Sequence, residues 1–389
     1  MYDVIVIGAG MMGSAAARHL ADMGAKTLLV GPNEPGCKET HTGVFASHYD
    51  QARITRRLDC KPDWARFSGR SIARYGEIEQ AGGQAFFHPV GAMIAGPETG
   101  EGAWLINGAR KVAADQDIPF EDLKGEALQE QFPFFDFPQG VVGLYETGTG
   151  GWINPRELVA AEISAASASG ADVYRDAVVD VDYSADSVSV TCSDGARFEG
   201  GRIVVACGPF SKMEGLLVEP IPMTVYARTI AFLEIGEEEA TRLKTMPSLI
   251  YMPPDLSYEP YILPPVRYPD GKMYLKIGGD PVDIQLETVA EMKDWFRGPG
   301  NSDVATFLAD KLMALMPGLA CRSVTHASCA TSFTPSGGPL IYTQSDQCVV
   351  LTAGNGAAAK CGDELGRLGA LVATGQDILG EGYECDFKS

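Results

Sequence analysis

The chain has 389 residues, 45% hydrophobic and 21% charged, which suits about two folded domains and excludes a short module or wholesale disorder. Its 31 basic and 51 acidic residues give a formal charge of −20, a field that repels phosphate backbones and anionic lipid, so neither nucleic acid nor a membrane is an expected partner. An acidic substrate would have to be held by a few locally placed cations.

In chain order, residues 2–7 (Y-D-V-I-V-I) read as a buried β-branched strand that ends in Gly8-Ala9-Gly10-Met11-Met12-Gly13. Residues 14–23 are rich in helix formers, Gly24 is a C-terminal cap, and residues 26–30 (K-T-L-L-V) return as a second buried strand. This is a βαβ unit with a G-x-G-x-x-G turn. Its first glycine makes the turn, its second lets a pyrophosphate approach, and its third allows close helix packing. The competing reading is a merely structural glycine turn. The acid expected at the end of the second strand is replaced by Gly31, so Asn33 or Glu34 is expected to reach the ribose.

Residues 86–95 and 273–278 (M-Y-L-K-I-G) suggest strands of a second, more antiparallel sheet, and the Pro- and Tyr-studded stretch 253–269 an extended connection or hairpin. Residues 202–206, followed by Cys207-Gly208, and 348–352, followed by Ala353-Gly354-Asn355-Gly356, read as later strands of the first sheet. The expected architecture is α/β plus α+β: a Rossmann-like dinucleotide-binding domain of residues 1–80, 155–220 and 325–389, interleaved with a mostly antiparallel-sheet substrate domain of residues 81–154 and 221–324.

No apolar stretch reaches the roughly eighteen residues of a membrane span, and the N-terminus has no basic region or cleavage site; the reading is cytoplasmic. Nine scattered cysteines with no C-x-x-C pair point to reduced thiols and to no metal site.

Four blocks in order, G-A-G-M-M-G, S-H-Y-D-Q-A-R-I-T-R (47–56), Y-L-K-I-G (274–278) and C-A-T-S-F-T-P (329–335) with A-G-N-G-A-A-A-K (353–360), resemble the amine-oxidising FAD flavoproteins of the D-amino-acid oxidase superfamily, in the group of monomeric sarcosine oxidase and N-methyltryptophan oxidase. The resemblance implies an FAD-binding first domain and the oxidation of a small N-methyl or primary amino acid, with hydride passing to flavin N5 to give an imine and O2 reoxidising the flavin to H2O2.

The resemblance also implies site residues. Gly8, Gly10, Met11, Met12, Gly13, Asn33, His48, Val179, Cys207, Gly208, Gly354 and Gly356 fall to the cofactor, with Val178-Val179 presenting a backbone edge to the adenine. Cys329 is implied as a thioether to the flavin 8α carbon, against the plainer reading of a buried apolar cysteine. Arg56 and Lys360 are implied as the pair that clamps the substrate carboxylate, a task suited to a bidentate guanidinium and an ammonium, and Arg53 as lying against the flavin. Without the resemblance, the run Arg53, Arg56, Arg57 reads as a solvated basic face.

Lys276, unusual in an apolar strand, is implied as the cation that promotes reaction with O2 by stabilising developing superoxide. Tyr261 is implied to line the substrate pocket. Asp280 stands where sarcosine-oxidising members have a histidine and Thr331 where they have a bulkier aromatic, which leaves the substrate's side chain open. The rival readings are a flavin dehydrogenase passing electrons to a quinone or carrier protein, and a non-catalytic dinucleotide-binding protein. Either a monomer or a small homo-oligomer is compatible with the chain.

Overall fold

β1 (Tyr2–Ile7) is buried over its last four residues and pairs in parallel with β2 (Thr27–Val30), Val4 opposite Thr27 and Ile7 opposite Val30. On its other side β1 pairs in parallel with the strand Arg197–Val205. Runs of β-branched residues buried on both faces suit a sheet covered by helices on both sides. The helix between them, α1 (Met11–Asp22), starts three residues before the sequence predicts, because Gly10 is already its extended N-cap and Met11-Met12 form the first turn. The structure, a computed structural model, describes residues 1–183, 186–256 and 258–389.

Among the described residues three sheets form. The eight-stranded sheet is built around β1 and its two parallel neighbours; Cys348–Thr352 adds in parallel to Arg197–Val205, while Val178–Asp182 and Val188–Cys192 extend the far edge antiparallel. The nine-stranded sheet centres on Thr224–Ile235, which is antiparallel to Met273–Gly278, Ile284–Leu286 and Cys321–Phe333. It contains one parallel pair, Ser248–Tyr251 with Ala92–Pro97. The fold is therefore the expected mixed α/β arrangement of a parallel-centred sheet with a mostly antiparallel one.

Three local expectations change. Residues 86–95 do not stay in one sheet: Phe87–His88 pairs with Gly151–Ile153, which also pairs with Arg53–Thr55, in a small third sheet, and Ala92–Pro97 joins the nine-stranded one. The break falls at Pro89-Val90-Gly91, where proline lacks a donor and Gly91 takes φ +88. The strand Cys321–Phe333 pairs along its length with Thr224–Ile235, so residues 325–333 of the segment assigned to the dinucleotide domain belong by pairing to the second sheet. The stretch 253–269 contains a strand, Tyr261–Arg267, whose register with Met273–Gly278 shifts between Leu263 and Val266 where Pro264-Pro265 withhold donors.

Helix α2 (Pro62–Gly82) and the C-terminal helix Gly362–Ala373 pack against the first sheet's side of the molecule, the latter crossing α1. Gly366 makes that crossing close: a Cβ there would lie 2.7 Å from Ala16 N and 2.8 Å from Met12 O. No described helix is long and apolar enough to cross a membrane. All nine cysteines are free thiols.

Candidate active site

The two large sheets share one cavity of about 900 Å³, at the upper end of the range for small-molecule sites. The first sheet supplies it with the turn after β1, the end of β2, Val178, and the glycine turns that follow Val205 and Thr352. Gly8, Gly10, Met11, Met12, His48, Cys207, Gly208, Cys329, Gly354 and Gly356, which the resemblance assigns to the cofactor, all line it.

The glycines divide the labour. Gly8 takes φ +109 and sits against the Ala206 carbonyl, and Gly13 lies under the Gly8 carbonyl, so neither tolerates a side chain. A Cβ on Gly10 would meet nothing closer than His48 Nδ1 at 3.8 Å, which leaves its backbone open to the cavity. Helix α1 has no side-chain cap and no acid in its first turn, so its N-terminal N–H groups and dipole remain for an anion. This cradle fits the diphosphate of a dinucleotide. His48, half-buried beside it, is held neutral with its pKa lowered to about 4, chiefly by desolvation.

Three residues assigned to the cofactor lie off the lining. Gly13 is absent from the lining because its role is the close packing of α1 on the Gly8 turn. Val179 has a side chain 46% exposed and is off the lining, while its neighbour Val178 is on it. Asn33 is exposed and off the lining, and Glu34 is engaged by Arg156, whose Nε and Nη2 donate at 2.7 and 2.6 Å. Gly31 lines the cavity in place of an acid because a Cβ there would come within 2.5 Å of Ala9 N.

The basic residues form two separate knots. In the first, Arg53 lines the cavity and donates from Nη1 to Asp50, from Nη2 to Ser47 O at 3.1 Å, and lies with Nη2 3.7 Å from Cys329 Sγ. Lys276, at 1% exposure, is not on the lining: its Nζ donates to Asp50 Oδ2 at 2.7 Å and to the Ala52 carbonyl, one layer beneath Arg53. Tyr268 completes the knot by donating to Asp50 Oδ1 at 2.9 Å. Burial pulls Lys276 down to about 8 even against the carboxylate that favours its charge. Burial also opposes ionisation of Asp50, but Arg53 and Lys276 outweigh it and hold the carboxyl well below its usual range.

In the second knot Arg56 and Lys360, 304 positions apart in sequence, meet at the cavity wall through one oxygen of Asp59: Lys360 Nζ donates to Oδ2 at 2.8 Å and Arg56 Nη2 at 3.3 Å. Lys360, at 2% exposure, also donates to Trp64 O at 3.2 Å. Lys360 is delivered by a short 3-10 turn, Ala358–Lys360, after a run in which Ala353, Asn355 and Gly356 all take positive φ. The Asn355 amide holds that run, donating to Gly338 O at 2.8 Å and Ala353 O at 2.9 Å.

The second sheet supplies the remaining wall. Tyr261, Asp280 and Thr331 line the cavity with Trp104, Leu105 and Ile250. Both carboxylate oxygens of Asp280 accept from Thr229 N, at 3.1 and 2.8 Å, and burial pushes its pKa up to about 6. Thr331 Oγ1 and Arg56 Nε are buried without a partner. The sequence reading missed Asp50 and Asp59; the available signal was an acid three residues from each arginine, in D-Q-A-R and R-R-L-D. No group of metal-ligating side chains occurs among the described residues.

Comparison with known proteins agrees with this geometry. Monomeric sarcosine oxidase of Bacillus sp. (strain B-0618) is 29% identical over 241 residues, 61% of this chain and 59% of that one, so the match spans less than two thirds of its length. N-methyl-L-tryptophan oxidase of Yersinia pestis (strain Pestoides F) is 22% identical over 377 residues, 96% of this chain and 95% of that one. In fold, the chain superimposes on NikD, an amino acid oxidase essential for nikkomycin biosynthesis, with a TM-score of 0.76 at 21% identity over 99% of this chain and 98% of that one. Glycine oxidase from Geobacillus kaustophilus gives 0.73 at 15% identity over 97% of each chain. The family model described as FAD dependent oxidoreductase matches residues 3–370, and the chain belongs to that family.

Proposed function

We propose that the protein is an oxidase of a small N-methyl or primary amino acid. Bound FAD supplies the chemistry, accepting hydride from the substrate to leave an imine and returning the electrons to O2 as H2O2. The chain's own task is positional. A reacting C–H bond is aimed only if the substrate is fixed by a group that does not react, and Arg56 with Lys360 offers the carboxylate a cationic seat. Tyr261, Thr331 and Asp280 close the other side and exclude water from the amine. The net positive charge of the knot of Arg53, Lys276 and Asp50 beside the cavity disfavours the ammonium form of a bound amine, which frees the lone pair that hydride departure requires.

Arg53 keeps a guanidinium 3.7 Å from the cavity-lining Cys329 Sγ, and a sulfur so placed supports covalent attachment of the cofactor there. Lys276 supplies a fixed buried cation one layer away, which favours electron transfer to O2 over a carrier protein.

The observation that carries this reading is the meeting of Arg56 and Lys360 at one cavity wall in a chain whose net charge is −20. The test is anaerobic addition of N-methyl and free amino acids to the yellow holoenzyme. Bleaching by a monocarboxylic amino acid, with H2O2 formed once air is admitted, is the expected result. A holoenzyme that stays yellow throughout the panel contradicts the reading, and bleaching without peroxide favours the dehydrogenase.

A further inference from the structure

The cation pair that would seat the substrate carboxylate already holds a carboxylate of the protein. Asp59 is 7% exposed and lines the same cavity. Its Oδ2 takes both cations, while its Oδ1 accepts from Lys61 N at 3.0 Å. Burial opposes its ionisation, but Lys360 and Arg56 outweigh burial and keep its pKa below the ordinary carboxylate value.

The two bonds differ in quality. The Lys360 contact at 2.8 Å has the length of a good charge-assisted bond; the Arg56 contact at 3.3 Å is long and uses a single N–H of the guanidinium. Arg56 Nε, the second tine of the fork, is buried and bonded to nothing. A carboxylate that engaged Nε and Nη2 together would satisfy that donor and make the bidentate contact that Asp59 does not. Two cations and one internal anion also leave a single positive charge, which matches one incoming carboxylate.

We propose that Asp59 is a built-in competitor of the substrate carboxylate: it holds Arg56 and Lys360 as a pair when the site is empty, yields the guanidinium fork to the ligand, and retakes it when product leaves. The proposal rests on the amino-acid-oxidase reading for its substrate, and it adds a consequence. Oxidation changes the amine end and leaves the carboxylate intact, so product would be gripped as firmly as substrate unless something at the carboxylate end opposes it. Asp59 supplies that opposition by like-charge repulsion in a buried site. Acting through Arg56 and Lys360 rather than on the reacting atoms, it is a positioning residue.

The experiment titrates acetate, a carboxylate with no amine, into oxidised holoenzyme, following the flavin absorbance and, in parallel, heat. Asp59→Asn and Asp59→Ser are compared with the wild type, and whichever variant folds with a full complement of flavin decides. Removing the internal charge is expected to tighten acetate binding about ten-fold or more. Asp59→Glu, which restores a carboxylate, is expected to bind acetate as the wild type does. With an amino-acid substrate, the neutral variants are expected to show a lower KM and a lower kcat together, because release of product slows. A merely structural Asp59 would give unchanged or weaker acetate binding, and that result, or a tightening well short of ten-fold, overturns the proposal. Failure of the oxidase reading would be a separate event: no amino acid bleaches the wild type, while the acetate comparison still reports on Asp59.

Discussion

A lysine ammonium at 1% exposure survives in an apolar strand only because a carboxylate stands 2.7 Å away, and Lys276 meets that condition through Asp50. The same carboxylate is shared with Arg53, so the knot carries one net positive charge directly beneath the cavity wall. Its pKa of about 8, low because burial penalises the charge, sets a window: the cation is present below about pH 8 and is lost as pH rises through that value. If that charge assists electron transfer to O2, the rate at which substrate-reduced enzyme reacts with oxygen should fall across the same interval, with the bleaching step following a different profile. Lys276→Met should lower the oxygen reaction on the order of a hundred-fold while leaving anaerobic bleaching within a few-fold. Rapid mixing of the reduced enzyme with aerated buffer measures this, and an oxygen rate that ignores both pH and the methionine variant would remove Lys276 from the reaction.

Elements explain why some of this was legible in the sequence and some was not. The unit β1–α1–β2 could be read because every signal in it is local: β-branched runs, a glycine turn, helix formers, and a cap, all within thirty residues. The strand Cys348–Thr352 was legible to the residue for the same reason. The roles of Asp50 and Asp59 were legible only in half: each has an arginine three residues away, but its second cation is far off in sequence, Lys276 at 226 positions and Lys360 at 301. Gly366 likewise carried no signal until the crossing of α1 over Gly362–Ala373 was seen. A side chain there must push apart the helix whose N-terminus faces the cavity, since its Cβ would already crowd Met12 O and Ala16 N. Gly366→Leu should therefore cost about 1–3 kcal/mol of stability and loosen the cofactor in the same variant. Melting temperature and the fraction of flavin retained after gel filtration report the two effects; loss of stability with flavin held at wild-type level would uncouple the crossing from the cradle.

At the scale of the whole molecule, the −20 charge sits on the surface while the interior is tied by buried carboxylates, and the two respond to acid in the same direction. Asp363 and Glu364 open the C-terminal helix and bind it to its neighbours: Asp363 accepts from His19 of α1 at 2.9 Å and from Arg74 of α2 at 2.6 Å, and Glu364 from Arg74 at 2.5 Å and from Tyr383 at 2.7 Å, besides Arg367 of its own helix at 2.8 Å. Burial works against the charge on both, yet these partners prevail and lower each pKa to about 2. A carboxyl depressed in the folded state contributes its full stability above the unfolded value of about 4 and loses it as pH falls toward the folded value. Protonation of the surface acids below pH 4 adds repulsion among the 31 basic residues. Melting temperature should therefore fall steeply below about pH 4, and added salt should restore only the part due to surface repulsion, because buried pairs are poorly screened. Asp363→Asn should cost about 1–3 kcal/mol at neutral pH, since it removes one charged acceptor from Arg18 and Arg74, which keep Glu162 and Glu364 as partners. That difference should shrink as the wild type is titrated toward pH 2, where it too has lost the charge. Denaturant midpoints of the two proteins at pH 7 and pH 3.5 make the comparison, and a gap that stays constant with pH would mean that Asp363 stabilises the helix junction by shape and hydrogen bonding rather than by charge.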